Sequence, residues 1–121
     1  MKSHQNLSAR QEALTERSLF NAILTLRSVE ECRAFFRDLC TPAELQAMAD
    51  RWSVVEHLQR GLPYREIHRI TRVSITTIGR VARYLGQGND GYSIAVARLA
   101  LSHATARTTA RPPQRTPSQH T

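Results

Sequence analysis

The sequence predicts an all-α, multi-helix bundle. Apolar residues recur every three or four positions throughout the span from Leu19 to Leu85, which is the period of a helix with one buried side. Two helix-start signatures, at Ser28 and at Thr41-Pro42, punctuate that span. Aromatic residues make up 6% and Gly and Pro number 5 each, a composition that suits packed helices better than strands and turns.

The elements follow in order. Residues 1–17 read as an N-terminal arm, helical in part if Ser8 and Gln11 form a capping box. Leu19, Phe20, Ile23, Leu24 and Leu26 define a first helix that stops before Ser28, where Ser28 caps the next helix and Glu31 reaches back to its backbone N–H. Val29, Cys32, Phe36 and Leu39 share one face of that second helix. Thr41 and Glu44 form a reciprocal cap around Pro42, and a long helix follows whose expected buried stripe is Leu45, Met48, Trp52, Val55 and Leu58. Gly61 and Pro63 end it. Ile67 and Ile70 then mark a short helix, a break falls at Arg72-Val73, and Ser74 caps another helix with Ile78, Val81, Ala82 and Leu85 inside. Two helices joined this way form a helix-turn-helix pattern. The loop from Gly86 to Gly91 reads as a turn.

Residues 18–102 therefore form one domain, small enough that sharing a core with a second copy is the default expectation. Residues 103–121, rich in Thr, Pro and Arg with no aliphatic side chain larger than Ala, read as a disordered basic tail. Its Arg107, Arg111 and Arg115 are candidates for sequence-independent attraction to a polyanion.

Charge points to the partner. The 121 residues carry 17 Lys and Arg against 10 Asp and Glu, a net charge of +7, and 16 of the cations are Arg. Six arginines and one glutamate lie between Arg60 and Leu85, within the two-helix pattern. Such a concentration favours double-stranded DNA, with the second helix in the major groove. Arg65, Arg69 and Arg72 are the candidate phosphate contacts; Ser74, Ile75, Thr76, Thr77, Gly79, Arg80 and Arg83 lie at the outward positions of the second helix or cap it. Hydroxyls bond bases, Ile75 suits a thymine methyl, and Arg pairs with guanine or phosphate.

Other classes lack their requirements. Cys32 and Cys40 show neither zinc nor redox spacing and read as two half-buried thiols; no metal or cofactor is expected. Glu56 and His57 are adjacent on a helix and point about 100° apart, so they make no acid–base pair, and no enzyme is expected. Without an apolar leader or a run of 18 apolar residues, membrane association is not expected either, and a bacterial cytosol or nucleoid is the expected compartment.

Three stretches resemble the Trp repressor superfamily, and its YerC/YecD group in particular. They are LFNAILTLRSVEECRAFFRDLCTPAELQAMADRW, the Y-x-x-I-x-x-x-T-x-V-S-x-T-T-I-x-R-V core, and the closing G-N-D-G-Y of Gly88 to Tyr92. The resemblance implies an intertwined homodimer that binds a two-fold operator and regulates transcription, most simply as a repressor. It also implies that Arg51 and Arg80, which match the arginines flanking the family's bound indole, form with Thr41 the candidate effector-binding set. Val81 and Tyr84 stand where that repressor has a glycine and a serine, and their volume argues against tryptophan as corepressor. The turn also departs from the common pattern. His68 replaces Ala at a packed site, and Arg72 replaces Gly where positive φ is often needed. That imperfect turn favours the rival expectation, a helical protein-interaction adaptor that keeps the fold without specific DNA binding.

Overall fold

The computed structural model describes residues 8–110, with side chains to residue 105. Six helices and no strand occur among them: α1 (Ala9–Ile23), α2 (Val29–Leu39), α3 (Pro42–Gln59), α4 (Tyr64–Thr71), α5 (Ile75–Gln87) and α6 (Gly91–Ala110). They fall into two compact units that meet within α3, Met1–Ala47 and Met48–Thr121.

Local chemistry sets the helix starts. The Ser8 hydroxyl accepts from the Gln11 N–H and the Gln11 side chain accepts from the Ser8 N–H, so α1 begins inside the segment read as an arm. Thr41 and Glu44 make the same reciprocal pair for α3, at 2.8 and 3.1 Å. At α2 only half of the expected box forms. Ser28 Oγ accepts from Glu31 N, but the Glu31 carboxylate accepts from Arg27 N at 2.8 Å, one residue before the cap. Gly61, at φ 79°, closes α3, with Leu62 N–H donating to the His57 carbonyl and Gly61 N–H to that of Leu58. That is the left-handed stop glycine accepts without a Cβ clash.

The first unit has no buried residue in α1 or α2. Leu24 is 81% exposed and Val29 78%, and Leu14, Phe20 and Leu39 are each more than half exposed. Of the expected α2 stripe, Val29, Cys32 and Leu39 are exposed and Phe36 is half-buried. Cys32 is exposed rather than half-buried; Cys40 is the half-buried thiol.

The second unit holds the core: Val54, Val55, Ile67, Val73, Ile78 and Val81, flanked by Leu58, Leu62, Leu85, Tyr92 and Val96. Val54 is fully buried although the expected α3 stripe omitted it, whereas Met48 and Trp52 from that stripe are 38% and 40% exposed. Apolar residues lie almost all round α3, so its period does not select one face. Trp52 packs on Tyr92, with ring centroids 6.2 Å apart, beside a 330 Å³ groove that Val96 and Leu99 of α6 also line.

Helix α6 follows the turn expected between helices at Gly86 to Gly91, and the proposed domain end at Ser102 falls inside it. The stretch from His103, expected to be disordered, is helical to Ala110; Arg111 and Arg115 lie outside the described residues. Poor burial potential did not stop the helix, because a backbone already in register extends at one hydrogen bond per residue. No described helix is long and apolar enough to cross a membrane.

Candidate nucleic-acid interface

Helices α4 and α5 are joined by Arg72, Val73 and Ser74. Ile67 of α4 and Ile78 and Val81 of α5 are buried together, so the two helices are held by a shared apolar contact rather than by their caps. Ile70, expected inside α4, is 46% exposed.

The turn is closed by side chains on both sides. Arg72 adopts φ 65°, ψ 6°, the left-handed conformation that disfavours a Cβ and costs a non-glycine residue about 1 kcal/mol. Val73, next to it, has a buried side chain, and both its backbone polar groups are engaged. Its N–H donates to Thr71 Oγ1 at 3.1 Å, while Thr71 Oγ1 donates to the Ile67 carbonyl at 2.8 Å. Its carbonyl accepts from His68 Nδ1 at 2.7 Å. A carbonyl only accepts, so Nδ1 carries the proton. His68 is not crowded, as the sequence reading expected, but exposed and turned across the loop. The two departures from the common pattern thus belong together, the imidazole helping to hold the conformation that Arg72 resists. Replacing His68 by Ala should lower stability by about 1 kcal/mol, read from urea unfolding. An unchanged midpoint would show that the ring does not secure the turn.

Ser74 starts α5. Its Oγ accepts from the Thr77 N–H at 3.1 Å and donates to Thr77 Oγ1 at 3.0 Å, so it acts as the expected N-cap. Thr77 is half-buried with its oxygen already accepting one proton, which leaves it a donor more than an acceptor. Ile75, at 48%, Thr76, Arg80 and Arg83 are exposed. Gly79, expected to face outward, is half-buried, and a Cβ there would sit 3.9 Å from the Tyr64 ring. That is ordinary contact, so packing within the protomer leaves room for a methyl.

The exposed side of α5 carries a feature the sequence reading missed. The Arg80 Cζ lies 4.9 Å and the Arg83 Cζ 5.7 Å from the centroid of the Tyr84 ring. The sequence signal for it is the i, i+4 spacing of Arg80 and Tyr84.

Arg65 and Arg69 on α4 and Arg72 in the turn are exposed, and Arg69 is paired with Glu66 through Nε to Oε1 at 3.2 Å and a second contact from Nη2 to Oε2. The hydrogen bond from Arg69 holds the Glu66 carboxyl below its usual value, so the pair is charged at neutral pH. Glu66 engages two of the five Arg69 N–H donors. Arg65, Arg72, Arg80 and Arg83 have no carboxylate partner among the described residues. Glu56 is committed to Arg60 at 2.8 Å, and the neighbouring His57 Nδ1 is buried without a partner among the described residues. No cluster of metal-ligating residues occurs among the described residues.

Thr41 belongs to the first unit, where its hydroxyl caps α3, and Arg51 and Arg80 belong to the second. The groove along α3 and α6 and the 250 Å³ hollow formed by Tyr84, Gly88, Asn89, Gly91 and Tyr92 are lined by other residues than these three.

A helical core that anchors two helices around a turn closed by side chains, with an arginine-rich outer side, defines the class: a small all-α protein. The chain belongs to the Trp repressor protein family, whose profile matches residues 15–100. It is 47% identical over 81 residues to the uncharacterised protein YerC of Bacillus subtilis (strain 168), covering 67% of this chain and 78% of that protein. Two crystal structures are similar. One, a TrpR-like protein from Eubacterium eligens, is 35% identical with a TM-score of 0.67, over 81% of this chain and 96% of that one. The other, a candidate Trp repressor from Staphylococcus aureus, is 39% identical with a TM-score of 0.68, over 83% and 96%.

Proposed function

We propose that the chain is a sequence-specific, DNA-binding transcription regulator that acts by occupying a palindromic operator, most simply as a repressor. The observation that carries this reading is the construction of α5. Ile78 and Val81 bury its inner side, the Thr71 and His68 bonds stiffen the turn before it, and Thr76, Arg80 and Arg83 stand exposed on the outside. A helix fixed from behind with hydroxyls and guanidinium forks in front suits a major groove. Arg65, Arg69 and Arg72 supply phosphate contacts alongside it, and Ser74, Ile75, Thr77 and Gly79 complete the approach at its N-terminal half.

The acting form is a homodimer. Uncovered Leu24, Val29, Leu14, Phe20 and Leu39 give the first unit an apolar surface that one protomer cannot bury, and hiding such area is what drives association. Two copies then present two α5 helices to successive major grooves, about 34 Å apart. Tryptophan is not the corepressor in this reading, because Val81 fills core space and the Tyr84 ring lies under the Arg80 guanidinium. The adaptor alternative loses the feature that favoured it, since the turn closes with Arg72 and His68 in place.

The test is a fluorescence-anisotropy titration against a random-sequence duplex library. Neutralising roughly six to eight phosphates per dimer should make affinity fall steeply with salt, and the selected sites should be two-fold symmetric. Weak binding with no enriched sequence, or a monomer by light scattering, would remove the operator reading.

A further inference from the structure

We propose that Tyr84 is a positioning residue for recognition: its ring holds Arg80 and Arg83 in place on the exposed side of α5 before DNA arrives. The proposal rests on the DNA-binding reading of α5. Thr76, Arg80 and Tyr84 follow one another at intervals of four and so form a single row along the helix. Both guanidinium carbons, at 4.9 and 5.7 Å from the ring centroid, lie within the range of about 6 Å over which an aromatic face attracts a cation. No carboxylate competes for either arginine among the described residues, so the ring is the contact that selects their rotamers.

Tyr84 is 41% exposed, while Val81 and Leu85 beside it carry the packing of α5, so the core does not require this ring. An unrestrained arginine loses many rotamers on binding; one already held against a ring loses fewer. Reading a guanine edge needs the guanidinium fork aligned with the base plane, and orientation thereby becomes sequence preference.

Two readouts on the full chain test this, using Tyr84→Phe, Tyr84→Ala and Tyr84→Leu, the last keeping apolar bulk without a π face should alanine unfold the chain. In the absence of DNA, NMR relaxation of the Arg80 and Arg83 Nε–H groups should report order in the wild type and Tyr84→Phe, and mobility in the other two. With the selected duplex, Tyr84→Ala should bind roughly five- to thirtyfold more weakly, with a broadened base preference opposite Arg80, and Tyr84→Phe within about twofold of wild type. Added to Arg80→Ala with Arg83→Ala, Tyr84→Ala should change nothing further.

Equal arginine mobility with and without the ring overturns the proposal, whatever DNA does. So does an undiminished effect of Tyr84→Ala when both arginines are gone, which would make Tyr84 a direct or purely structural contact. A wild-type chain that ordered its arginines but bound no duplex would instead overturn the DNA reading beneath it.

Discussion

Replacing Ile78 by Ala is expected to remove a large fraction of the stability of the second unit. Ile78 is fully buried beside Ile67, Val54, Val55 and Val81, in a core of six buried residues among those described. Truncating such an isoleucine removes the transfer free energy of its carbons and leaves a cavity that two helices cannot easily collapse around, together about 2–5 kcal/mol. A small domain has roughly 5–15 kcal/mol in all, so the loss is a large fraction. Ile75, 48% exposed on the same helix, is the control, and its Ala variant should stay within about 0.5–1 kcal/mol of wild type. Urea unfolding followed by circular dichroism at fixed protein concentration makes the comparison, because a dimer's midpoint shifts with concentration. Equal midpoints for the two variants would mean that α5 is not anchored through Ile78.

Arg80→Ala should have the largest effect on binding with little effect on folding, since Arg80 is exposed and makes no ion pair among the described residues. A bidentate arginine–guanine contact discriminates by about 1–3 kcal/mol, equivalent to roughly five- to 150-fold at each half-site. Preference at one base pair of the selected sequence should relax at the same time. Arg80→Lys should not rescue it, because an ammonium lacks the planar fork. Arg83→Ala provides the contrast: a phosphate contact weakens all sequences alike and lowers the salt slope by about one. If the selected sequence survives Arg80→Ala unaltered, base reading lies elsewhere on the protein.

Most helix boundaries were legible because their signals act over four residues or fewer. The Ser8, Thr41 and Ser74 caps, the Gly61 stop and the break at Arg72-Val73 all appear where the sequence places them. The positive φ at Arg72 was legible in the same way, as a position where the backbone conformation matters more than the side chain. By contrast, the full length of α6 was hidden by a tail composition that speaks to burial and not to helix propagation. Glu31 accepts from the Arg27 N–H and not from that of Ser28, since a flexible carboxylate reaches either of two adjacent donors.

Chain-local chemistry therefore decided that the protein is helical, where most helices begin, and which segment carries the concentrated positive charge. Packing alone decided that Val54 rather than Met48 or Trp52 faces the core, that His68 spans the turn to Val73, and that Tyr84 lies against two arginines. The difference is physical: a cap or a stop is completed by neighbours along the chain, whereas a buried face or a side-chain partner is selected by whatever other helix arrives to cover it.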